Sequence, residues 1–157
     1  MRFLIGLCVF VAGMAAHWWL STYLTVWGVA PHLLVILTVA IAATRGPVTG
    51  QCFGFGWGLF LDVAGVHCFG GNALVLTAAA YGVGNLRRQM DVSSPLSQSM
   101  MAAVVSWAHL LALAVLGIVF ERQALWPGWG AAVAIPVLNG LAAPFLFPVL
   151  ERAWGRP

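Results

Sequence analysis

The stretch RGPVTGQCFGFGWGLFLD, residues 45–62, decides how this chain is expected to fold. Glycine recurs in it every four residues, at positions 46, 50, 54 and 58, and Asp62 continues the series. Residues four apart lie on one face of a helix, so this helix would have a face without side chains. Because glycine costs a helix interior roughly 1 kcal/mol relative to alanine, such a series needs a benefit from close helix packing. We expect this face to pack against the chain's own helices; docking of another protein's helix and the lining of a ligand site are the alternatives.

The composition around this stretch is that of a membrane protein. Of the 157 residues, 62% are hydrophobic and 7% are charged, whereas soluble domains are about 45–50% apolar and about 25% charged. Charge-free runs cover residues 3–44, 63–86, 92–120 and 123–150, and each is longer than the ~20 apolar residues that cross a bilayer. These values exclude a soluble enzyme, a nucleic-acid-binding domain and a disordered tail.

Turn residues and charges divide the chain, residues 1–157, into one polytopic domain of six predicted spans: 3–24, 31–44, 47–62, 72–86, 97–120 and 128–150. The first apolar stretch starts like a signal peptide but continues to about Leu24, so we expect a retained helix. Spans two to four are short for a ~30 Å hydrocarbon core, and so would thin the bilayer, be shielded by neighbours or extend into the loops. The alternative is five spans, with residues 31–62 forming a re-entrant hairpin and one span.

The arginines orient these spans. With six spans and the N-terminus inside, only Arg122 of the seven arginines lies outside, and such an asymmetry is typical of cytoplasmic loops. The arginines on the inner side are Arg2, Arg45, Arg87, Arg88, Arg152 and Arg156. A five-span arrangement would move Arg2, or both Arg152 and Arg156, to the wrong side. The sequence therefore predicts that both termini are cytoplasmic.

Asp62 is the one acidic residue next to a predicted span that has no arginine beside it. Ionisable groups at membrane depth are costly and are candidates for function. We expect its carboxylate to accept backbone N–H groups of the connection Gly65–Gly71, which leads to Asn72 as the expected N-cap of the next helix. Contact with a partner protein and transfer of a proton or ion are the alternatives.

The sequence contains no recognisable catalytic or metal-binding set. The four histidines, His17, His32, His67 and His109, are scattered, and no two have the spacing of a helical metal pair. No serine–histidine–aspartate order, phosphate-binding loop or paired cysteine motif is present. We therefore expect neither enzymatic activity nor a cofactor, and interpret the histidines as structural.

Six short motifs, taken in chain order, carry a family resemblance. They are PHLLV at 31–35, RGPVTG at 45–50, GFGWGLFLD at 54–62, FGGNAL at 69–74, YG at 81–82 and APFLFPVL at 143–150. This order resembles the MreD family of bacterial rod shape-determining proteins over essentially the whole chain. The chain departs from the family pattern at Gly56 and Trp57, and in having no lysine at its cytoplasmic ends.

The resemblance implies a fold and a role. The fold would be an all-α integral membrane bundle of six transmembrane helices, similar to the substrate-binding S-components of energy-coupling-factor vitamin transporters. The role would be that of a non-catalytic scaffold or regulatory subunit of the cell-elongation complex, which makes peptidoglycan at the bacterial inner membrane. The implied partners are the bitopic protein MreC, the actin-like filament protein MreB, the glycosyltransferase RodA and its penicillin-binding transpeptidase.

Two predictions follow from the residues and the resemblance together. If partner transmembrane helices dock on this chain, the candidate contact residues are Gly50, Gly54, Gly58, Asp62, Arg45 and Pro31. The alternative function is a vitamin-type substrate-binding component of an energy-coupling-factor importer, because Ala12 and Ala16 resemble the coupling motif of those components.

Overall fold

The computed structural model describes residues 2–23, 31–65, 69–87, 89 and 91–154. Within these ranges the chain is all-helical, with six α-helices and no strand. A π-helical turn, Gly117–Glu121, extends the fifth helix. The helices are α1 Arg2–Tyr23, α2 Leu33–Arg45, α3 Pro47–Ala64, α4 Gly71–Leu86, α5 Pro95–Leu116 and α6 Trp129–Trp154.

Proline and glycine set several of these boundaries. Pro47 and Pro95 open α3 and α5, where a missing N–H costs nothing because the first turn has no intrahelical acceptor for it. Gly46 separates α2 from α3 with φ +100° and ψ 174°, a conformation that is essentially restricted to glycine. The guanidinium of Arg87 lies against Gly46 and its Nη1 donates to the carbonyl oxygen of Thr44 at 3.1 Å. The Arg45-Gly46-Pro47 turn is therefore held by the end of α4.

Helix α2 is the centre of the bundle. Every residue from Leu33 to Ala43 is buried, and α2 contacts all five other helices. A helix that is apolar on all sides is stable only when it is surrounded by protein or lipid. At about 1.5 Å per residue its 13 residues span about 20 Å, less than a ~30 Å hydrocarbon core. The neighbouring helices cover it along nearly its whole length.

Among the residues that the structure describes, three helices are long and apolar enough to cross a membrane: Leu4–Tyr23, Pro95–Glu121 and Trp129–Trp154. Large apolar side chains are exposed along them, including Val104 and Leu111 on α5 and Val137 and Phe145 on α6. Exposing so large an apolar surface to water would cost free energy, whereas contact with lipid would not. The chain is therefore a helical membrane protein.

An aromatic cluster attaches α1 to the bundle. The rings of Phe10 and Trp57 stack with centroids 5.7 Å apart, and Phe53 packs edge-on against both. Trp57 is fully buried, and its Nε1–H donates to the backbone oxygen of Phe10 at 3.0 Å. Trp154 of α6 packs edge-on against Phe53. A buried indole N–H needs an acceptor, and here α1 provides it.

Candidate functional site

The glycine face of α3 is filled by helices of the same chain. A Cβ on Gly50 would lie 2.6 Å from the Cβ of Ala42 in α2, and one on Gly54 would lie 2.9 Å from the carbonyl oxygen of Leu76 in α4. A Cβ on Gly58 would overlap the backbone of Ala73 in α4. The face thus allows α2 and α4 to approach α3 backbone to backbone, as in small-residue helix packing. This arrangement agrees with the interpretation that the face packs within the chain.

The six residues predicted to contact partners therefore differ in accessibility. Gly50, Gly54, Gly58 and Asp62 are buried, so a partner helix could reach this face only by displacing α2 or α4. Arg45 and Pro31 are half-buried. The guanidinium of Arg45 lies over the Trp154 ring at 5.3 Å, in a cation–π contact. Direct partner contact at these six positions stays a prediction, and the geometry favours the two half-buried ones.

Asp62 joins the end of α3 to the start of α4. Its Oδ1 accepts hydrogen bonds from the backbone N–H of Asn72 at 2.9 Å and from Nδ2 of Asn72 at 3.0 Å. Its Oδ2 accepts from the backbone N–H of Ala73 at 3.0 Å. The side chain is only 3% exposed. Three donors thus converge on a carboxyl group that is hidden from solvent, and the group acts only as an acceptor.

This geometry corrects the expected cap of α4. Gly70, not Asn72, occupies the N-cap position, and its φ is +91°. Asn72 and Ala73 are the second and third residues of the helix, whose N–H groups an N-cap side chain normally accepts. Because Gly70 has no side chain, Asp62 supplies the acceptor from α3. An acidic group at a helix N-terminus is also favoured by the helix dipole.

Asn72 extends the hydrogen bonds from Asp62 to His109 of α5. Nε2 of His109 lies 3.1 Å from Oδ1 of Asn72. Since Nδ2 of Asn72 donates to Asp62, Oδ1 is the atom that faces His109, and it can only accept. His109 must therefore carry a proton on Nε2. The orientation of one amide thus fixes the tautomer of a histidine that is 2% exposed.

Three histidines from three helices form a cluster beside this link. The ring centroids of His32 and His109 are 5.8 Å apart, and those of His17 and His32 are 6.4 Å apart. The backbone N–H of His32 donates to Oδ1 of Asn139 at 3.1 Å, and Nδ2 of Asn139 donates to Oγ of Ser106 at 2.7 Å. We call His17, His32 and His109 the histidine cluster. Together with the polar side chains around it, the cluster connects all six helices.

The histidine cluster was not predicted from the sequence. The three residues lie on α1, at the start of α2 and on α5, so no local spacing links them. The signal that could have found them is their shared depth, because each lies toward the Asp62 end of its helix in an antiparallel bundle. His67 lies outside the described residues. Within the described ranges, no three His, Cys, Asp or Glu side chains are placed to hold a metal ion.

The departures from the family pattern at Gly56 and Trp57 have a structural reason. Trp57 fills the space between α3 and α1 and bonds to α1 through its indole N–H. A Cβ on Gly56 would lie 2.7 Å from Cε2 of Phe10, so glycine at this position lets the Phe10 ring approach α3. Both residues serve the same contact with α1.

Comparison with known proteins gives one match. The family model of the rod shape-determining protein MreD matches residues 1–148. No curated protein and no solved structure matches the chain.

Proposed function

The chain belongs to the MreD family of rod shape-determining proteins, and we propose that it is a non-catalytic scaffold subunit of the bacterial cell-elongation complex. The family match, which covers nearly the whole chain, is the observation that carries this proposal. Family membership supports a role in rod-shape determination. The family match does not favour the alternative of a vitamin-binding importer component.

The membrane arrangement is part of the proposal. We propose that all six helices cross the bacterial inner membrane, with both termini in the cytoplasm. Arg45, Arg87 and Arg152 lie at or near the C-terminal ends of α2, α4 and α6, which is one end of an antiparallel bundle. Arginine-rich ends face the cytoplasm, so the Asp62 end would face outward. The likeness to the S-component fold is implied by the family resemblance alone.

Partner contact is proposed on the outside of the bundle, because the glycine face of α3 is occupied. One candidate region is a cleft of about 500 Å³ between α4 and α5. Four alanines, Ala78, Ala79, Ala108 and Ala112, lie in its lining. Small residues let a second helix come close, so the single transmembrane helix of an MreC-type protein would fit here. MreB, RodA and the penicillin-binding transpeptidase are the further partners that the family implies.

Depletion tests the role in cell shape. Removing the protein from its rod-shaped bacterial host should make the cells round, and the wild-type chain should restore rods. Unchanged rods together with lost vitamin uptake would contradict the proposal.

A paired substitution tests the cleft. Ala112→Phe would fill the cleft, whereas Val137→Phe would add the same ring to an exposed position on α6. We expect only Ala112→Phe to reduce co-purification with the MreC-type protein while the chain stays folded. Equal co-purification of the two variants would exclude the cleft as the docking place.

A further inference from the structure

The histidine cluster lies where α1 meets the rest of the bundle, and its member His109 also lies in the lining of the cleft between α4 and α5. Helix α1 is the least covered of the three long helices, with 6% of its most apolar window buried against 22% for α5 and 39% for α6. The aromatic cluster around Trp57 holds α1 near Phe10. Toward the Asp62 end, His17 packs against His32. The contact between these two histidines therefore helps decide whether this end of α1 stays on the bundle.

Two nitrogens in this contact are buried and unsatisfied. Nδ1 of His17 and Nδ1 of His32 have no hydrogen-bond partner among the described residues. A neutral imidazole can leave a ring nitrogen as a bare acceptor at a moderate cost. A protonated ring would carry an N–H and a positive charge at a place where the described residues offer no acceptor, which is far more costly. The packed arrangement therefore suits neutral rings.

The groups around His32 reinforce this preference. His17 on α1 and His109 on α5 are its titratable neighbours, and a charge on one would repel a charge on the next at about 6 Å. Asp62 of α3, one acidic group on this side, is already bonded by three donors at the start of α4. The side chains of α4 and α6 that contact the histidine cluster are Asn72 and Asn139, and neither of them titrates. Glu121, with its own interactions, ends the π-helical turn 12 residues beyond His109.

We propose that the histidine cluster is a proton-operated latch, which holds the Asp62 end of α1 on the bundle when its rings are neutral and releases it when they are protonated. In the released state the rings of His17 and His32 reach water. A solvated imidazole takes up its proton near pH 6.5, so the closed form is favoured above this pH and the open form is progressively stabilised as the pH falls below it. Each histidine that gains a proton on opening raises the open-to-closed ratio by up to about tenfold per pH unit.

Distance measurements between two spin labels test the latch on the full chain in lipid nanodiscs. Cys8, Cys52 and Cys68 are replaced by serine, and labels are attached at Tyr23→Cys and Phe120→Cys, both exposed near the Asp62 end. Double electron–electron resonance is recorded at about pH 8 and at about pH 5, on either side of the pKa of a solvated imidazole. We expect a longer-distance population that grows at least tenfold on acidification.

Two controls make the result specific. A second label pair, at Leu4→Cys and Val149→Cys near the opposite end of the bundle, should keep its distance at both pH values. The double variant His17→Gln and His32→Gln, whose side chains do not titrate, should lose the acid response at the Asp62 end. The latch is refuted if the unsubstituted cluster shows no response, if both label pairs respond alike, or if the double variant still responds. The first two outcomes are measured without the histidine variant. The proposal can therefore be refuted even if the double variant fails to fold.

Discussion

Replacing Asp62 by asparagine should destabilise the bundle although the side-chain shape is kept. Oδ1 accepts two hydrogen bonds and Oδ2 accepts one, so the amide oxygen of the substituted side chain would take the Oδ1 position. Its NH₂ group would then face the N–H of Ala73, and two buried donors would lack an acceptor. Each unsatisfied buried donor costs about 1–3 kcal/mol. We expect Asp62→Asn to lower the free energy of unfolding by at least about 2 kcal/mol.

The matched control is Asp91→Asn in the connection before α5. Asp91 accepts hydrogen bonds from the backbone N–H and Oγ of Ser93, and these bonds hold the pKa of its fully exposed carboxyl below the ordinary value. Exposed substitutions of this kind leave stability nearly unchanged. Denaturation of the purified chain in mixed micelles, followed by circular dichroism, measures both variants. An Asp62→Asn chain as stable as Asp91→Asn would refute the capping role given to Asp62.

Three further outcomes follow from single contacts. Gly58→Ala should cost about 1–3 kcal/mol because its Cβ meets backbone, while Gly82→Ala, with nothing within 4 Å, should stabilise by about 0.5–1 kcal/mol; thermal unfolding in detergent ranks the two. Trp57→Phe removes the N–H that donates to Phe10 and should speed hydrogen exchange in α1 more than in α4, as mass spectrometry would reveal; equal protection of α1 in both proteins would contradict this. Gly46→Ala should cost about 1–3 kcal/mol because of its backbone conformation, and an unchanged unfolding midpoint would count against that strain.

The sequence could predict helices because charges and turn residues mark their ends. Each observed helix begins and ends within a few residues of a predicted span, and α3 begins at Pro47 as expected. Spacing within one helix was also informative, since the glycine series faces close neighbours. The central position of α2 was harder to predict, because an apolar helix looks the same whether lipid or protein surrounds it.

Which polar side chains of different helices meet could not be predicted from the sequence. His17, His32 and His109 meet only because α1, α2 and α5 pack at one depth, and that register depends on the whole bundle. The cap of α4 was misassigned for the same reason. A local cap would come from the preceding loop, but the acceptor comes from Asp62, 10 residues before Asn72.

We conclude that the glycine face closes this chain's own bundle, and we propose that partners bind outside it. The most direct test is Gly54→Leu in the chain expressed without partners, followed by size-exclusion chromatography after heating. A leucine at this position meets the carbonyl of Leu76 and the methyl of Thr38. We predict a lower unfolding midpoint even in the isolated chain, with Gly82→Leu unaffected. A Gly54→Leu chain that is as stable as wild type alone, but no longer co-purifies with its partners, would contradict the claim and place the partner on the glycine face.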